Sequence, residues 1–150
     1  MEIKLRELMV RVAHLERRAA LVGGLEGRDL SGRDLKGMDF SNANLTGVNL
    51  EGADLMGADL TGASLKGANL KGANLKRANL TGADLMGAHL EGANLEWANL
   101  KGANFMGANL KAAYLFWTNI KGANFTGALY DDSTHLPFLS SSQFQTMTKV

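Results

Sequence analysis

The stretch ADLMGADLTGASLKGANLKGANL, residues 53–75, repeats one five-residue unit whose third position is Leu. The same spacing extends in both directions, because every position from 30 to 125 whose number is divisible by five carries an apolar residue. Ala stands two positions earlier in nearly every unit from Ala43 to Ala128, with Val48 and Thr118 as exceptions. A repeat of this regularity outweighs every other feature of the sequence.

A five-residue period excludes both a regular helix and a single straight strand. An α-helix turns by about 100° per residue, so successive Leu residues would scatter around its surface. In a strand, alternate Leu residues would point to opposite faces because five is odd. Within one unit, however, Ala and Leu share a strand face, and the residues that follow supply a bend. The period therefore predicts a short extended segment and a turn, repeated around a common axis.

Units such as ADLTG, ANLKG and ADLMG resemble the pentapeptide repeat family, whose units follow the pattern A(D/N)LXX. The resemblance covers residues 25–130. It implies an all-β fold, a right-handed quadrilateral β-helix in which four units make one coil, and hence about five coils. A coil of twenty residues also places Arg77, Trp97 and Trp117 in one column. The outward Asn and Asp are expected to form ladders or to bond to turn backbone.

Both ends of such a rod need covering, because open coil edges pair with other chains. Residues 1–24 carry apolar residues at helical spacing, from Leu5 to Val22, followed by two glycines, which predicts an N-terminal capping α-helix. Residues 131–150 are interpreted as a C-terminal capping segment, with Phe138, Leu139 and Phe144 in its apolar cover, and a tail from Ser140 to Val150 polar enough to fray. The first coil is expected to be irregular, because Arg28 and Arg33 occupy the small inward position.

Composition excludes several classes of function. The formal net charge is +1, with 16 basic and 15 acidic residues, so no global field steers the chain onto nucleic acid or a membrane. There is no Cys, which excludes disulfides and thiolate metal sites. The first 24 residues contain no continuous apolar stretch, so neither a signal peptide nor a transmembrane helix is expected. A cytoplasmic location is the simplest interpretation.

The sequence indicates neither an enzyme nor a cofactor. A β-helix filled with Leu and Ala offers no desolvated pocket along its axis, where catalysis would need convergent polar groups. The three histidines, His14, His89 and His135, fall on separate segments and are not expected to share a metal. The glycines follow the five-residue period and match no phosphate-binding motif.

One outward patch departs from the pattern. Its five residues are Arg77, Trp97, Tyr114, Phe116 and Trp117. Trp, Tyr and Arg are enriched at binding hot spots, so the patch is a candidate site for a protein partner or for self-association. Alternatively, the C-terminal tail, with Leu136, Phe138 and Phe144, folds back over it and Arg77 stacks on Trp97.

Three functions are open on this basis. The first is a non-catalytic scaffold that binds an unknown protein partner through its outer faces or an end, with a homodimer through an end or the patch as a variant. The second, implied by the family, is modulation of a type II topoisomerase by DNA mimicry. The ten acidic and ten basic residues of positions 25–130 disfavour it. The third is a passive spacer or oligomerisation module.

Overall fold

The structure is a computed structural model that describes residues 24–137 and 142–150. Within these residues the chain winds as a solenoid, and the named elements lie only at its C-terminal end. These are strand β1, Leu129–Tyr130, a 3-10 helix, Ser142–Thr146, and strand β2, Thr148–Lys149. The predicted capping helix belongs to residues 1–24. Residues 1–23 lie outside the described part of the chain, so the helix stays a prediction.

Parallel β-bridges join each unit to the unit one coil further along the chain. The series runs from Asp29↔Asn49 to Asn109↔Leu129, and its members are separated by twenty residues. Four five-residue units therefore make one coil, which confirms the four-sided β-helix expected from the sequence.

The expectation of an irregular first coil was wrong. Asp29 and Asp34 already form bridges to the second coil, in the same register as later units. Arg28 is exposed and Arg33 is half-buried, so their side chains reach solvent, whereas Met38 packs inside at 5% exposure. Because the long basic side chains leave the interior, the backbone keeps its regular path.

Each corner combines a tight turn with a residue at positive φ. At one corner the Ala58 N–H donates to the Leu55 carbonyl at 3.0 Å, and Gly57 has a φ of 67°. The Gly57 N–H donates to the Lys76 carbonyl of the next coil at 3.0 Å. The repeat needs Gly at its fifth position because this conformation disfavours a Cβ atom.

The interior is a continuous apolar column of the Leu and Ala positions. From Val48 to Leu115 these inward residues are at most 1% exposed, and no polar or charged residue of the described part is buried. Phe105 and Phe125 stack inside with ring centroids 5.0 Å apart. Burial of each Leu contributes roughly 1.5–3 kcal/mol before entropy, so the core stabilises the coil along its whole length.

The outward Asn and Asp residues satisfy the turns and connect the coils, as predicted. Asp54 shows both contacts. Its Oδ1 accepts the Met56 N–H at 3.1 Å and the Asn74 side-chain amide of the next coil at 3.1 Å. Such residues are structural, and they leave the other outward positions to vary.

The C-terminal segment adds a partial coil on top of the last complete one, and residues 142–150 take part in it. Strand β2 pairs in parallel with β1, and Phe144 lies 5.4 Å from Phe125, ring to ring. The Gln143 side-chain amide donates to the carbonyls of Ile120 and Ala123, both at 2.9 Å. These contacts cap the apolar end of the rod.

Four walls result, and we number them in chain order, with the N-terminal end of the rod as its lower end. The units that form them follow the twenty-residue spacing of the bridges. The first wall holds units 28–32 to 108–112, the second 33–37 to 113–117, the third 38–42 to 118–122, and the fourth 43–47 to 123–127.

Candidate protein-binding site

Two tryptophans form a stacked pair at the corner between the second and third walls. The rings of Trp97 and Trp117 lie 5.0 Å apart, centroid to centroid, with 13° between their planes. Their side chains are nevertheless 52% and 54% exposed. The pair stacks because the two residues occupy the same position in successive coils, and the coil spacing matches the separation of stacked rings.

Both tryptophans adopt a backbone conformation that the repeat gives to Gly at most corners, with Asn42 and Ala112 as further exceptions. Trp97 has a φ of 60° and Trp117 a φ of 57°, and Arg77, one coil lower in the same column, has a φ of 58°. A non-Gly residue in this left-handed region costs on the order of 1 kcal/mol. The fold alone would favour Gly at all three positions, so the side chains are retained against a local cost.

The remaining aromatic residues extend this pair across the second wall. The Phe116 ring lies 5.5 Å from that of Trp117 and 5.3 Å from the imidazole of His135. The imidazole stacks on Tyr114 at 4.6 Å. We call Trp97, Tyr114, Phe116, Trp117 and His135 the aromatic corner.

The sequence interpretation had not included His135 in the patch. Its backbone continues the ladder of the second wall, where it accepts the Leu115 N–H at 2.8 Å and donates to the Ala113 carbonyl at 2.9 Å. The residue lies twenty-one positions after Tyr114 instead of twenty. Because of this one-residue offset, the spacing rule that aligned the other aromatics could not detect it.

Described parts of the C-terminal tail do not cover the tryptophans. Leu136 and Phe144 are partly buried against the apolar core at the end of the rod, while the two indoles stay more than half exposed. Phe138, which the covering alternative also used, lies outside the described residues. Arg77 is exposed one coil below Trp97, and its stacking on that ring stays a prediction.

A hydrogen-bonded carboxylate holds the loop that carries His135. Asp131 Oδ1 accepts the backbone N–H of Ala112 at 3.0 Å and that of Ser133 at 3.0 Å. The Ala112 N–H, followed by the Thr134 hydroxyl, holds the pKa of Asp131 below its ordinary value. The ionised carboxylate therefore fixes the loop in the position that brings the imidazole onto Tyr114.

Within residues 24–137 and 142–150, no group of three or more His, Asp or Glu side chains could hold a metal ion. His89 lies on the first wall, where its Nδ1 is 4.0 Å from Glu91, and His135 is at the aromatic corner. His14 falls outside the described residues. None of the helices in this part of the chain has the length and apolar character to cross a membrane.

Comparison with known proteins agrees with this geometry. The sequence model described as pentapeptide repeats matches residues 29–62, 53–92 and 88–127. No curated protein matches the chain significantly. A pentapeptide repeat protein from the Arabidopsis thaliana thylakoid lumen is 34% identical in sequence, covers 77% of this chain and 68% of its own, and superposes with a TM-score of 0.51.

Two further solved structures are similar. HetL, involved in heterocyst differentiation regulation in the cyanobacterium Nostoc sp. strain PCC 7120, is 34% identical over 71% of this chain and 63% of its own, with a TM-score of 0.49. QnrB1, a plasmid-mediated fluoroquinolone resistance protein, is 20% identical over 84% of this chain and 72% of its own, with a TM-score of 0.51, and shows the fold alone. Proteins of this kind form right-handed quadrilateral β-helices. The chain belongs to the pentapeptide repeat family.

Proposed function

We propose that the protein is a non-catalytic scaffold that binds a protein partner through the aromatic corner. The observation that carries this proposal is the stacked pair of Trp97 and Trp117, each more than half exposed on a rod whose other outward positions are mostly polar. Exposed apolar clusters of this kind mark interaction sites, and Trp is the residue most enriched at hot spots.

The geometry gives the corner the properties of a preformed site. The indoles stack on each other, and Phe116 rests against both Trp117 and His135, so the rings lose little freedom when a partner binds. The backbone beneath them is a regular β-helix whose inward residues from Val48 to Leu115 are at most 1% exposed. Rigid aromatic side chains on a rigid scaffold suit recognition of a protein surface without rearrangement.

We also keep the expectations from the sequence on cellular location, cofactors and other binding partners. We place the protein in the cytoplasm, without a cofactor and without direct contact to nucleic acid or membrane. The overall charge of the rod supports the absence of a nucleic-acid or membrane partner, because positions 25–130 hold ten acidic and ten basic residues.

Affinity capture from lysate tests the proposal. The double variant W97G/W117G places Gly, the usual residue of the repeat, at both positions. It should capture at least tenfold less partner than the wild type. The matched control is M86A/M106A, which removes two exposed residues spaced by one coil on the fourth wall, at 37% and 40% exposure. Equal capture by wild type and W97G/W117G would refute a partner site at the aromatic corner.

A further inference from the structure

The third wall carries charges of opposite sign at its two ends. Its charged residues are Asp39 and Asp59 in the lower two layers and Lys101 and Lys121 in the upper two. The layer between them, with Asn79, is uncharged. The net charge of the wall is therefore zero, but its potential changes sign along the rod.

The same polarity extends around the solenoid. Positions 26–65 hold seven acidic and three basic residues, and positions 66–125 hold three acidic and seven basic, so the net charge changes from −4 to +4 along the rod. Within the described residues, no ion pair uses Lys101 or Lys121, whereas Lys36, Lys66 and Lys76 each have a carboxylate within 3.1–3.3 Å. The upper end of the third wall thus presents unpaired ammonium groups.

The corner that borders this wall also differs between its halves. Reading upward, its fifth positions are Gly37, Gly57, Arg77, Trp97 and Trp117. The lower half has no side chain at the corner, and the upper half carries the two exposed indoles. If a second copy of the chain were inverted along the rod and placed against this corner, the indoles of each copy would face the bare Gly backbone of the other.

We propose that the partner at the aromatic corner is a second copy of this chain, bound antiparallel with third wall against third wall. This inference rests on the proposed function and names its partner. A two-fold axis perpendicular to the rod, at the layer of Arg77, sets Trp97 opposite Gly57 and Trp117 opposite Gly37. Such an interface is isologous, because the same surface serves both copies.

The same axis brings the wall charges into register. Lys101 of one copy lies in the layer of Asp59 of the other, and Lys121 in the layer of Asp39. A parallel arrangement, with the two-fold axis along the rod, would instead place lysines in the layers of lysines and aspartates in the layers of aspartates, which costs free energy through like-charge repulsion. Charge complementarity therefore selects the antiparallel orientation.

The wall is small, so the association is weak. Five layers at a spacing of about 4.8 Å give a height of about 24 Å, and three extended residues give a width of about 10 Å. An interface of this size falls well below the roughly 800 Å² per partner of a stable complex. The dimer is reversible, with a dissociation constant in the micromolar range or above.

Sedimentation of the full chain from about 10 μM to about 1 mM tests the association. We expect a reversible dimer that weakens as salt is raised, because the pairs are exposed. K101E/K121E should weaken the dimer at least tenfold. K71E/K111E makes the same change in total charge at the same turn position on the first wall, and should leave the dissociation constant within about twofold.

Cross-linking tests the orientation, and the absence of native Cys gives a clean background. S41C and K121C place thiols at the same turn position in the lowest and highest layers of the third wall. A short bis-maleimide should link a mixture of the two variants. It should not link S41C to itself, because antiparallel copies hold those positions about 19 Å apart. T61C with K101C repeats the test in the next layers.

Three results would overturn the antiparallel dimer. They are a strict monomer at the highest concentration, a dimer that K101E/K121E leaves intact, and efficient linkage of S41C to itself. If the protein is monomeric but capture from lysate still depends on the two indoles, the partner is a foreign protein and the proposed function stands without the second copy.

Discussion

Gly57 and Trp97 occupy the same position of the repeat, two coils apart, and their φ values of 67° and 60° are nearly equal. The backbone therefore imposes one conformation on the corner, whatever side chain it carries. Gly adopts this conformation without a steric cost, while Trp and Arg do not. At the scale of the residue, a departure from Gly is informative because the fold gains nothing from it.

Replacement of Gly57 by Ala should lower the free energy of unfolding by about 1 kcal/mol. An added Cβ would meet no atom within 4 Å, so the loss comes from the backbone conformation and not from a clash. Chemical denaturation measures the change. Met56→Ala, next to it and 38% exposed, is the control and should stay within about 0.5 kcal/mol of wild type. An unchanged G57A protein would mean that the corner tolerates a side chain without strain.

The hydrogen bond from Ala112 predicts an acid-sensitive loop. Because the folded pKa of Asp131 lies below its ordinary value, near 4, the carboxylate contributes stability above that value and loses the contribution as pH falls through the folded pKa. We expect the midpoint temperature of thermal unfolding to decrease when the pH is lowered below about 4. This decrease should be smaller in Asp131→Asn. Asp34→Asn leaves the Ala112 hydrogen bond in place and should show the full fall. Identical acid profiles for wild type and Asp131→Asn would contradict this cause.

At the scale of the element, the C-terminal segment works as an additional partial coil. Phe144 takes the inward position above Phe125. The turn that follows it has the same hydrogen bond as the corners of the regular coils, because the Met147 N–H donates to the Phe144 carbonyl at 3.1 Å. The 3-10 helix and β2 therefore cover the last exposed edge of the core. Stability at this end depends on an element that the five-residue pattern does not encode.

Replacement of Phe144 by Ala should lower the free energy of unfolding by roughly 1–3 kcal/mol, less than for a fully buried Phe, because the ring is only partly buried. The Phe125 ring beneath it would then meet solvent. Chemical denaturation again provides the measurement. Val150→Ala, at 60% exposure in the same segment, should have no measurable effect. Equal stability of F144A and wild type would show that the segment does not cap the rod.

At the scale of the whole molecule, the repeat confines function to the outer surface. Apolar residues, mainly Leu and Ala, fill the interior of the described coils, and the Asn and Asp positions serve the turns, so variation falls on the fourth position of each unit and, at a cost in backbone energy, on the fifth. These positions, together with the choice of residue at the second position, give the rod its charge polarity and its aromatic corner, because Asp39, Asp59 and Tyr114 stand at second positions. Two proteins with this fold can therefore share a core and differ completely in partner.

The charge polarity predicts that the protein does not act as a mimic of duplex DNA. Such mimicry needs negative charge along the whole rod, whereas positions 66–125 carry a net charge of +4. Purified protein added to a gyrase supercoiling assay should leave the rate of supercoiling unchanged relative to a reaction without it. Inhibition at stoichiometric protein would favour the topoisomerase alternative.

The amino-acid sequence by itself determined the five-residue coil and its inward Leu and Ala, while the twenty-residue period came from the family resemblance and from the column that stacks Trp97 on Trp117. A strictly periodic backbone allows this, because spacing along the chain converts directly into position in space. The side chains that lie off the period were decided by the tertiary structure. His135 entered the aromatic corner only because the chain after Tyr130 leaves the repeat and folds back. Phe144 was expected in the apolar cover, but its place against Phe125 follows from the same fold-back. Irregular segments follow the packing surfaces available to them, and those surfaces exist only once the regular coils have formed.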